Sequence, residues 1–411
     1  MSFKLRDYQQ ELSERVTDKL REYKIAILNA EVRTGKTHVA LSVASKYENV
    51  LFITKKKAIS SIEDDYKTAA LGFNITVINY ESLHKVCGVF DLVICDESHS
   101  MAAFPKPSKR TKMVRGFVTG DLLLLTGTLL PESNSQIFHQ LWVSPHSPYK
   151  NCGNFYKWFK IYGTPKKIFT SYGQSNDYST VDYDKIKNTI VSLNVSFTQK
   201  QAGFTTKVKE HVLKVDLKQS TVRLMNKLRQ DKVVEGVNDT ILCDTSVKLM
   251  QKLHQLSSGT VILESGNGAI LDTTKVDFIA DYFKGKKLAI FYYYKQEKEM
   301  IFDKFGHGVT DDLKEFNDTG KHIALQQVSG AEGVNLSAAD VLIFINFGFS
   351  NTKFVQAKDR LTTMTRKEND VYYILSNNGI DNKVYKAVSN KKDYITKTFI
   401  QDERARLPKE N

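Results

Sequence analysis

The sequence contains few cysteines and no long hydrophobic run. Its four cysteines, at 87, 95, 152 and 243, are widely spaced and form no C-x-x-C pair. This spacing is typical neither of a disulfide framework nor of a zinc site, so we expect reduced thiols in a cytoplasmic protein. No apolar run reaches the roughly 18 to 20 residues of a membrane span. The first residues, MSFKLRDYQQEL, also lack the apolar stretch of a signal peptide. We therefore expect no membrane partner.

The sequence has fewer acidic than basic residues, 46 Asp and Glu against 59 Lys and Arg. The net charge is +13, and the isoelectric point is near 9.2. A basic surface favours a polyanion, most often nucleic acid, although a dispersed, solvated lysine surface is the alternative. Positive charge is concentrated in TKKKAI (54–59) and KPSKRTKMVR (106–115), which favours the nucleic-acid interpretation.

Short apolar runs alternate with amphipathic segments in two regions of the 411-residue chain. Such alternation predicts parallel sheets with helices on both faces. The predicted strands are 25–30, 50–54, 75–80, 90–97 and 121–128 in the first region, and 287–294, 322–328, 341–347 and 371–375 in the second.

The alternation stops after Pro131. Residues 132–195 are rich in aromatic, Asn and Ser residues, and we interpret them as a helical or irregular insertion. We predict an α/β protein of two lobes, 1–205 and 206–411, with the boundary between residues 200 and 215. The second lobe is predicted to begin with a helical linker, 206–270.

A phosphate-binding loop is indicated by LNAEVRTGKTH (28–38). The full pattern G-x-x-x-x-G-K-[ST] has glycine where this chain has Ala30, and a bare G-K-T arises by chance often enough that its context decides. Here it follows a predicted strand and opens a predicted helix. In that arrangement backbone N–H groups hold phosphate oxygens, Lys36 reaches the β- and γ-phosphates, and the Thr37 hydroxyl binds Mg²⁺.

A pair of carboxylates follows another predicted strand, in DLVICDESH (91–99). At the carboxyl edge of a parallel sheet, Asp96 is expected to hold Mg²⁺ and Glu97 to orient or deprotonate the attacking water. A solvated acidic loop is the alternative. The order of the motifs favours the nucleotide site: GKT follows one predicted strand, and DE follows another about 60 residues later.

These motifs resemble those of superfamily 2 helicases. DESH resembles the D-E-x-H box, and LLLTGT (123–128) resembles the third motif. LRDYQ (5–9) and the segment that follows LLLTGT are similar to those of the Swi/Snf-type branch, and the first motif of the family commonly begins with alanine, as at Ala30. SGAEGVNLSAAD (329–340) and QAKDRLTTMTR (356–366) resemble the fifth and sixth motifs. The resemblance implies two RecA-like lobes with ATP and Mg²⁺ in the interlobe cleft.

The resemblance also assigns roles to individual residues, with Gln9 reading adenine and His99 linking the ATP site to the third motif. The ATP-binding set is Gln9, Arg33, Thr34, Gly35, Lys36, Thr37, Gly333 and Asn335. The coupling set is His99, Thr126, Gly127, Thr128 and Gln356.

Two positions depart from the family pattern. Arg33 replaces the middle glycine of the first motif, which predicts a slightly different path for the loop. The second arginine of the sixth motif falls on Thr363. That arginine normally stabilises charge on the transferred phosphate, so the catalytic arginine is either Arg360 alone or Arg366 in its place.

Contacts with nucleic acid are expected at the ends of strands in both lobes. The expected residues are Thr54, Lys55, Lys56, Asn79, Tyr80, Tyr292, Tyr293 and Ser329. Solvated lysines are the alternative for the first lobe. For the tyrosines at 292–294, core packing of at least one is the alternative.

The function expected from the resemblance is that of an ATP-dependent DNA translocase or helicase. We expect a monomer that acts on double-stranded or branched DNA, with single-stranded DNA or RNA as the alternative substrate. A second alternative is an ATP-gated binding module with weak hydrolysis, which Thr363 favours. The compact, Lys/Asn/Tyr-rich chain suggests a viral or bacterial origin, for example a phage-encoded helicase of replication, recombination or branch migration that acts in the cytoplasm of the bacterial host.

Overall fold

A computed structural model describes most of the chain. The described residues are 5–170, 173–236, 239–330, 334, 336–350, 354, 357–358, 368–390 and 392–406. The chain divides into two compact units, Met1–Phe204 and Thr205–Asn411, called here the first and second lobes. Among the described residues, no helix combines the length and the apolar character that crossing a membrane would require.

The first lobe is an α/β unit. Its strands are β1 (Ile25–Ala30), β2 (Asn49–Thr54), β3 (Asn74–Asn79), β4 (Leu92–Cys95), β5 (Asp121–Thr126), β6 (Lys166–Thr170), β7 (Gly173–Asp177) and β8 (Asn194–Phe197). Its helices are α1 (Asp7–Tyr23), α2 (Lys36–Ala44), α3 (Ile59–Thr68), α4 (Lys109–Phe117), α5 (Ile137–Trp142), α6 (Phe155–Tyr162) and α7 (Tyr183–Leu193).

Six of these strands form one parallel sheet in the order β3-β2-β4-β5-β1-β8. Every residue of β4 and β5 is buried, as expected for strands that are covered by helices on both faces. The predicted strand 90–97 is shorter in the structure, because the chain leaves the sheet at Asp96. That exit places the two acidic residues at the carboxyl edge.

The predicted insertion, 132–195, is partly helical and does not end where we expected. It contains α5 to α7 and the antiparallel β6–β7 pair. Its last residues belong to β8, which pairs with β1 in the main sheet. The strand is only four residues long and contains Asn194 and Ser196, so it lacks the apolar run that marked the other strands.

An aromatic cluster in this region surrounds His139. The imidazole is 2 % exposed, stacks on Phe155 and meets Phe138 and Trp142 edge-on. Its Nδ1 lies 2.6 Å from the Ala103 carbonyl oxygen, which makes Nδ1–H the donor. Burial lowers the pKa of His139 to about 4, because the charged form loses its hydration.

We expect the first lobe to lose stability in mild acid. The unfolded histidine has a pKa of about 6.5, above the folded value, so its stabilising contribution is complete above that pH. The contribution then falls as the pH decreases toward about 4, by about 1.5 kcal/mol between pH 6.5 and pH 5. The chain has two tryptophans, Trp142 and Trp158, and both belong to this lobe. Their fluorescence in urea titrations measures the change.

The His139→Gln variant should show a weaker dependence on pH over the same range, although it is less stable at neutral pH. His84 is exposed, so His84→Gln is the matched control and should keep the wild-type dependence. Equal pH dependence in the wild type and His139→Gln would contradict the assignment.

The second lobe is also an α/β unit. Its strands are β9 (Lys207–Val215), β10 (Val233–Glu235), β11 (Thr240–Leu242), β12 (Thr260–Ile262), β13 (Gly268–Ile270), β14 (Leu288–Tyr292), β15 (Val309–Thr310), β16 (His322–Gln326), β17 (Val341–Phe344) and β18 (Glu368–Ser376). Its helices are α8 (Gln219–Asp231), α9 (Ser246–Leu256), α10 (Thr274–Tyr282), α11 (Lys295–Phe305), α12 (Leu313–Asp318), α13 (Gln327–Gly330), α14 (Asp381–Ser389) and α15 (Thr396–Arg406).

A second parallel sheet has the order β15-β16-β14-β17-β18-β9. With this sheet, the predicted fold class of two parallel α/β lobes is confirmed. The range 206–270, predicted as a helical linker, is only partly helical. It contributes β9 to the sheet and also contains the β10–β11 and β12–β13 pairs. The alternating sequence of β9, KVKEHVLKV, leaves most of its residues exposed or half-buried, as expected for a strand at the side of a sheet.

An ion pair is buried beneath the second sheet. Lys275 Nζ lies 2.8 Å from Asp381 Oδ2, and the side chains are 1 % and 0 % exposed. Lys275 also donates to the Ile345 carbonyl oxygen at 3.0 Å, and Asp381 accepts from the backbone N–H and the hydroxyl of Ser376. These bonds tie α10 and α14 to the ends of β17 and β18.

Candidate nucleotide site

The phosphate loop, residues 30–37, connects β1 to α2. Gly35 has a φ of +82°, and a Cβ atom there would lie 2.1 Å from Gln9 Nε2. The conformation therefore favours glycine, and a larger residue would displace the end of the Gln9 side chain. Arg33 has a φ of +64°, the left-handed conformation that glycine favours, at a cost of about 1–2 kcal/mol.

Gln9 and Lys36 are both held against this loop. The Gln9 side chain accepts from the Arg6 backbone N–H at 3.0 Å and donates to the Thr34 carbonyl oxygen at 3.4 Å. Lys36 Nζ donates to the Ala30 carbonyl oxygen at 2.8 Å. The ammonium group therefore lies over the loop, where an incoming phosphate would replace a carbonyl as its partner.

Two neighbours hold Asp96 at the end of β4. Thr54 Oγ1 donates to Asp96 Oδ2 at 2.8 Å, and the Glu97 backbone N–H donates to Asp96 Oδ1 at 3.0 Å. Tyr80 Oη donates to the Asp96 carbonyl oxygen at 2.7 Å. The carboxylate and the backbone of Asp96 are both fixed by these contacts.

The electrostatics of this carboxylate suit a cation. Burial and the charge of Glu97 raise the pKa of Asp96 to about 6, although the Thr54 hydrogen bond and the charge of Lys36 lower it. A cation beside Asp96 would relieve this repulsion. The donor set of Asp96 carboxylate and Thr37 hydroxyl fits Mg²⁺, which uses one or two protein oxygens together with phosphate oxygens and water.

Glu97 and His99 connect this site to the end of β5. Glu97 has a φ of +50°, and its Oε2 lies 3.3 Å from His99 Nδ1, at ion-pair distance. The same nitrogen lies 3.4 Å from Thr126 Oγ1. Thr126 Oγ1 in turn accepts from the Thr128 backbone N–H at 3.0 Å. The structure thus brings together the acidic pair, His99 and the third motif.

Gly127 also lies beside the phosphate loop. A Cβ atom on Gly127 would be 3.5 Å from the Ala30 carbonyl oxygen and 3.8 Å from Lys36 Nζ. The predicted first-lobe residues of the nucleotide site therefore cluster at one edge of the sheet.

The predicted contacts with nucleic acid have different surroundings. Thr54 and Tyr80 are 0 % and 2 % exposed, and their hydroxyls bond to Asp96. Asn79 is buried and donates to Glu81, Lys55 is half-buried, and Lys56 is exposed. A contact between these residues and nucleic acid stays a prediction.

In the second lobe, Tyr292 packs in the core with 8 % of its surface exposed, and Tyr293 is half-buried. The Ser329 backbone belongs to α13. Six predicted positions lie outside the described residues: Gly333, Asn335, Gln356, Arg360, Thr363 and Arg366.

The sequence did not predict that residues at the end of β8 and just after it hold the phosphate loop by hydrogen bonds. The Glu31 backbone N–H donates to the Phe197 carbonyl oxygen at 3.0 Å. Gln199 donates through its side chain to the Val32 carbonyl oxygen at 3.0 Å and through its backbone to Glu31 Oε2 at 2.6 Å. The only signal was the short apolar pair Val195 and Phe197, which is too brief to predict a strand.

Comparisons with known proteins give one sequence relative and a structural neighbour. No protein-family model matches the chain. An "Uncharacterized ATP-dependent helicase" of Mycoplasma pneumoniae is 29% identical over 150 residues, which are 34% of this chain and 14% of that protein. A solved "Sulfolobus solfataricus SWI2/SNF2 ATPase core in complex with dsDNA" has a TM-score of 0.43 and 14% identity, over 97% of this chain and 95% of the other.

Proposed function

We propose that the chain is a nucleic-acid-stimulated ATPase that translocates on DNA or unwinds it. One observation carries the proposal: Lys36, Asp96 and Glu97 meet at the carboxyl edge of a parallel sheet, next to a phosphate loop. Parallel α/β sheets bind ligands at this edge. The partial similarity to a protein named as an ATP-dependent helicase also supports it.

Each residue has a role that its surroundings support. Lys36 would exchange its carbonyl partner for the β- and γ-phosphates, and the backbone N–H groups at the start of α2 would bind phosphate oxygens. Asp96 and Thr37 would hold Mg²⁺, which supplies neutralisation of phosphate charge when bound. Glu97 would orient the attacking water and accept its proton.

The link from Glu97 to Thr126 through His99 suits a coupling role. His99 would transmit a change at the catalytic carboxylate to the third motif. Arg360 or Arg366 is proposed as the arginine that stabilises the transferred phosphate.

The choice of DNA rests on charge and on the motif resemblance. The net charge of +13 provides electrostatic affinity for a phosphate backbone. The proposed substrates are duplex DNA, forks or branched junctions in replication, recombination or repair. RNA or single-stranded DNA would use the same ATP chemistry, and comparing the three polymers as stimulants distinguishes them.

The Lys36→Ala variant tests the proposal. Loss of the ammonium group that contacts the phosphates should lower the nucleic-acid-stimulated kcat/KM for ATP by about 10²-fold or more. The measurement is phosphate release with duplex DNA, single-stranded DNA and RNA.

Lys67 is exposed on α3, so Lys67→Ala is the matched control and should hydrolyse ATP like the wild type. ATP hydrolysis by Lys36→Ala at the wild-type rate would refute the site. A wild type that binds ATP but hydrolyses none with any polymer would instead favour an ATP-gated binding module.

A further inference from the structure

Thr54 and Asp96 are adjacent because of the sheet register. β2 and β4 pair in parallel with Ile53 beside Cys95, and the Asp96 backbone N–H donates to the Ile53 carbonyl oxygen at 2.8 Å. Both strands therefore end at the same level. This register, and not their separation in sequence, places the Thr54 hydroxyl against the carboxylate.

The Thr54 hydroxyl is buried and bonds to the Asp96 carboxylate. Its side chain is 0 % exposed, and its Oγ1–H donates to Asp96 Oδ2 at 2.8 Å. With the Glu97 backbone N–H on Oδ1, each carboxylate oxygen receives one donor. A carboxylate has about four lone-pair sites, so both oxygens keep a lone pair for a cation while their orientation is fixed.

We propose that Thr54 is a positioning residue whose hydroxyl orients the Asp96 carboxylate toward the cation of a bound Mg²⁺-nucleotide. The proposal rests on the proposed function and gives Thr54 a role different from contact with nucleic acid. Tyr80 assists by holding the backbone of Asp96. The Arg110 guanidinium lies over the Tyr80 ring, 5.1 Å from its centroid, and covers one face of that ring.

The test separates binding of magnesium from binding of nucleotide. A fluorescent ADP analogue is titrated into the full chain in the presence of Mg²⁺ and again in EDTA. Partners of a metal ligand typically contribute about 10- to 100-fold to metal affinity. Thr54→Val removes the hydroxyl and keeps the shape. It should therefore weaken binding with Mg²⁺ by about 10-fold or more, and by less than about 2-fold in EDTA.

Three further variants complete the design. Thr54→Ser keeps the hydroxyl and should bind like the wild type. Thr54→Cys supplies a weaker donor, should lose an intermediate amount, and provides the test if Thr54→Val does not fold. Thr17 is also buried, and its hydroxyl bonds to Ser13 and Lys46. Thr17→Val is therefore the matched control and should leave both affinities unchanged.

Two results would overturn the proposal. One is that Thr54→Val binds the analogue as tightly as the wild type with Mg²⁺. The other is that Thr54→Val loses equal affinity with Mg²⁺ and in EDTA. In both cases the proposed ATPase function stands. A wild type that does not bind the analogue refutes the proposed function, and the positioning role falls with it.

Discussion

Replacing Glu97 by glutamine should lower kcat for ATP hydrolysis by about 10²- to 10⁴-fold, the usual contribution of a general base. Glutamine keeps the size of the side chain but cannot accept a proton from water. Because Asp96, Thr37 and Lys36 are unchanged, the affinity for Mg²⁺-nucleotide should stay within about 2-fold of the wild type. Single-turnover phosphate release and equilibrium binding of a nucleotide analogue measure the two quantities.

A matched control is available in the same lobe. Glu63 is exposed on α3, so Glu63→Gln removes the same charge away from the site and should hydrolyse ATP normally. Asp96→Asn should differ from Glu97→Gln, because it should lose Mg²⁺-dependent nucleotide binding as well as turnover. If Glu97→Gln retains full turnover, Glu97 is not the general base.

The largest loss of stability is expected from Asp381→Asn in the second lobe. Asparagine leaves the Lys275 ammonium group buried without its counter-charge, and breaking such a pair costs about 3–5 kcal/mol. Urea unfolding followed by hydrogen exchange of second-lobe peptides measures the loss. Adding Lys275→Met to Asp381→Asn should recover part of the loss, since no buried charge remains and the asparagine oxygen can still accept from Ser376.

An exposed pair in the same sheet provides the comparison. Lys209 Nζ lies 2.7 Å from Glu368 Oε2, and each side chain is 51% exposed. Because solvent screens such pairs, Glu368→Gln should change stability far less than Asp381→Asn does. If Asp381→Asn and Glu368→Gln lower the free energy of unfolding by similar amounts, the buried pair does not contribute more to stability than the exposed pair.

The main strands could be predicted from the sequence where their residues are buried on both faces. β1 has the bounds that we predicted, 25–30, and β5 lies within its predicted range. Both are nearly continuous apolar runs. β9 could not be recognised in this way, because charged residues alternate along it and its partner β18 lies about 160 residues later. Long-range pairing of this kind leaves no local signal.

The site was predictable to the extent that its residues occur in motifs. GKT and DESH predicted Lys36, Asp96 and Glu97 from phosphate and cation chemistry, and the structure places all three at the carboxyl edge of the first sheet. Their catalytic roles stay a proposal. The partners of Asp96 were different. Thr54 was predicted as a contact for nucleic acid, and its bond to Asp96 follows only from the order and register of β2 and β4. Neither can be read from spacing along the chain.

The edge strands of the second sheet affect the tendency of the protein to aggregate at high concentration. Among the described residues, β15 and β9 are the outermost strands, and β15 is two residues long. β9 has lysines at 207, 209 and 214 and a glutamate at 210. A short edge strand and a charged edge strand both disfavour the addition of a strand from another molecule. We therefore expect the charged residues that concealed β9 in the sequence to disfavour its pairing with strands of other molecules.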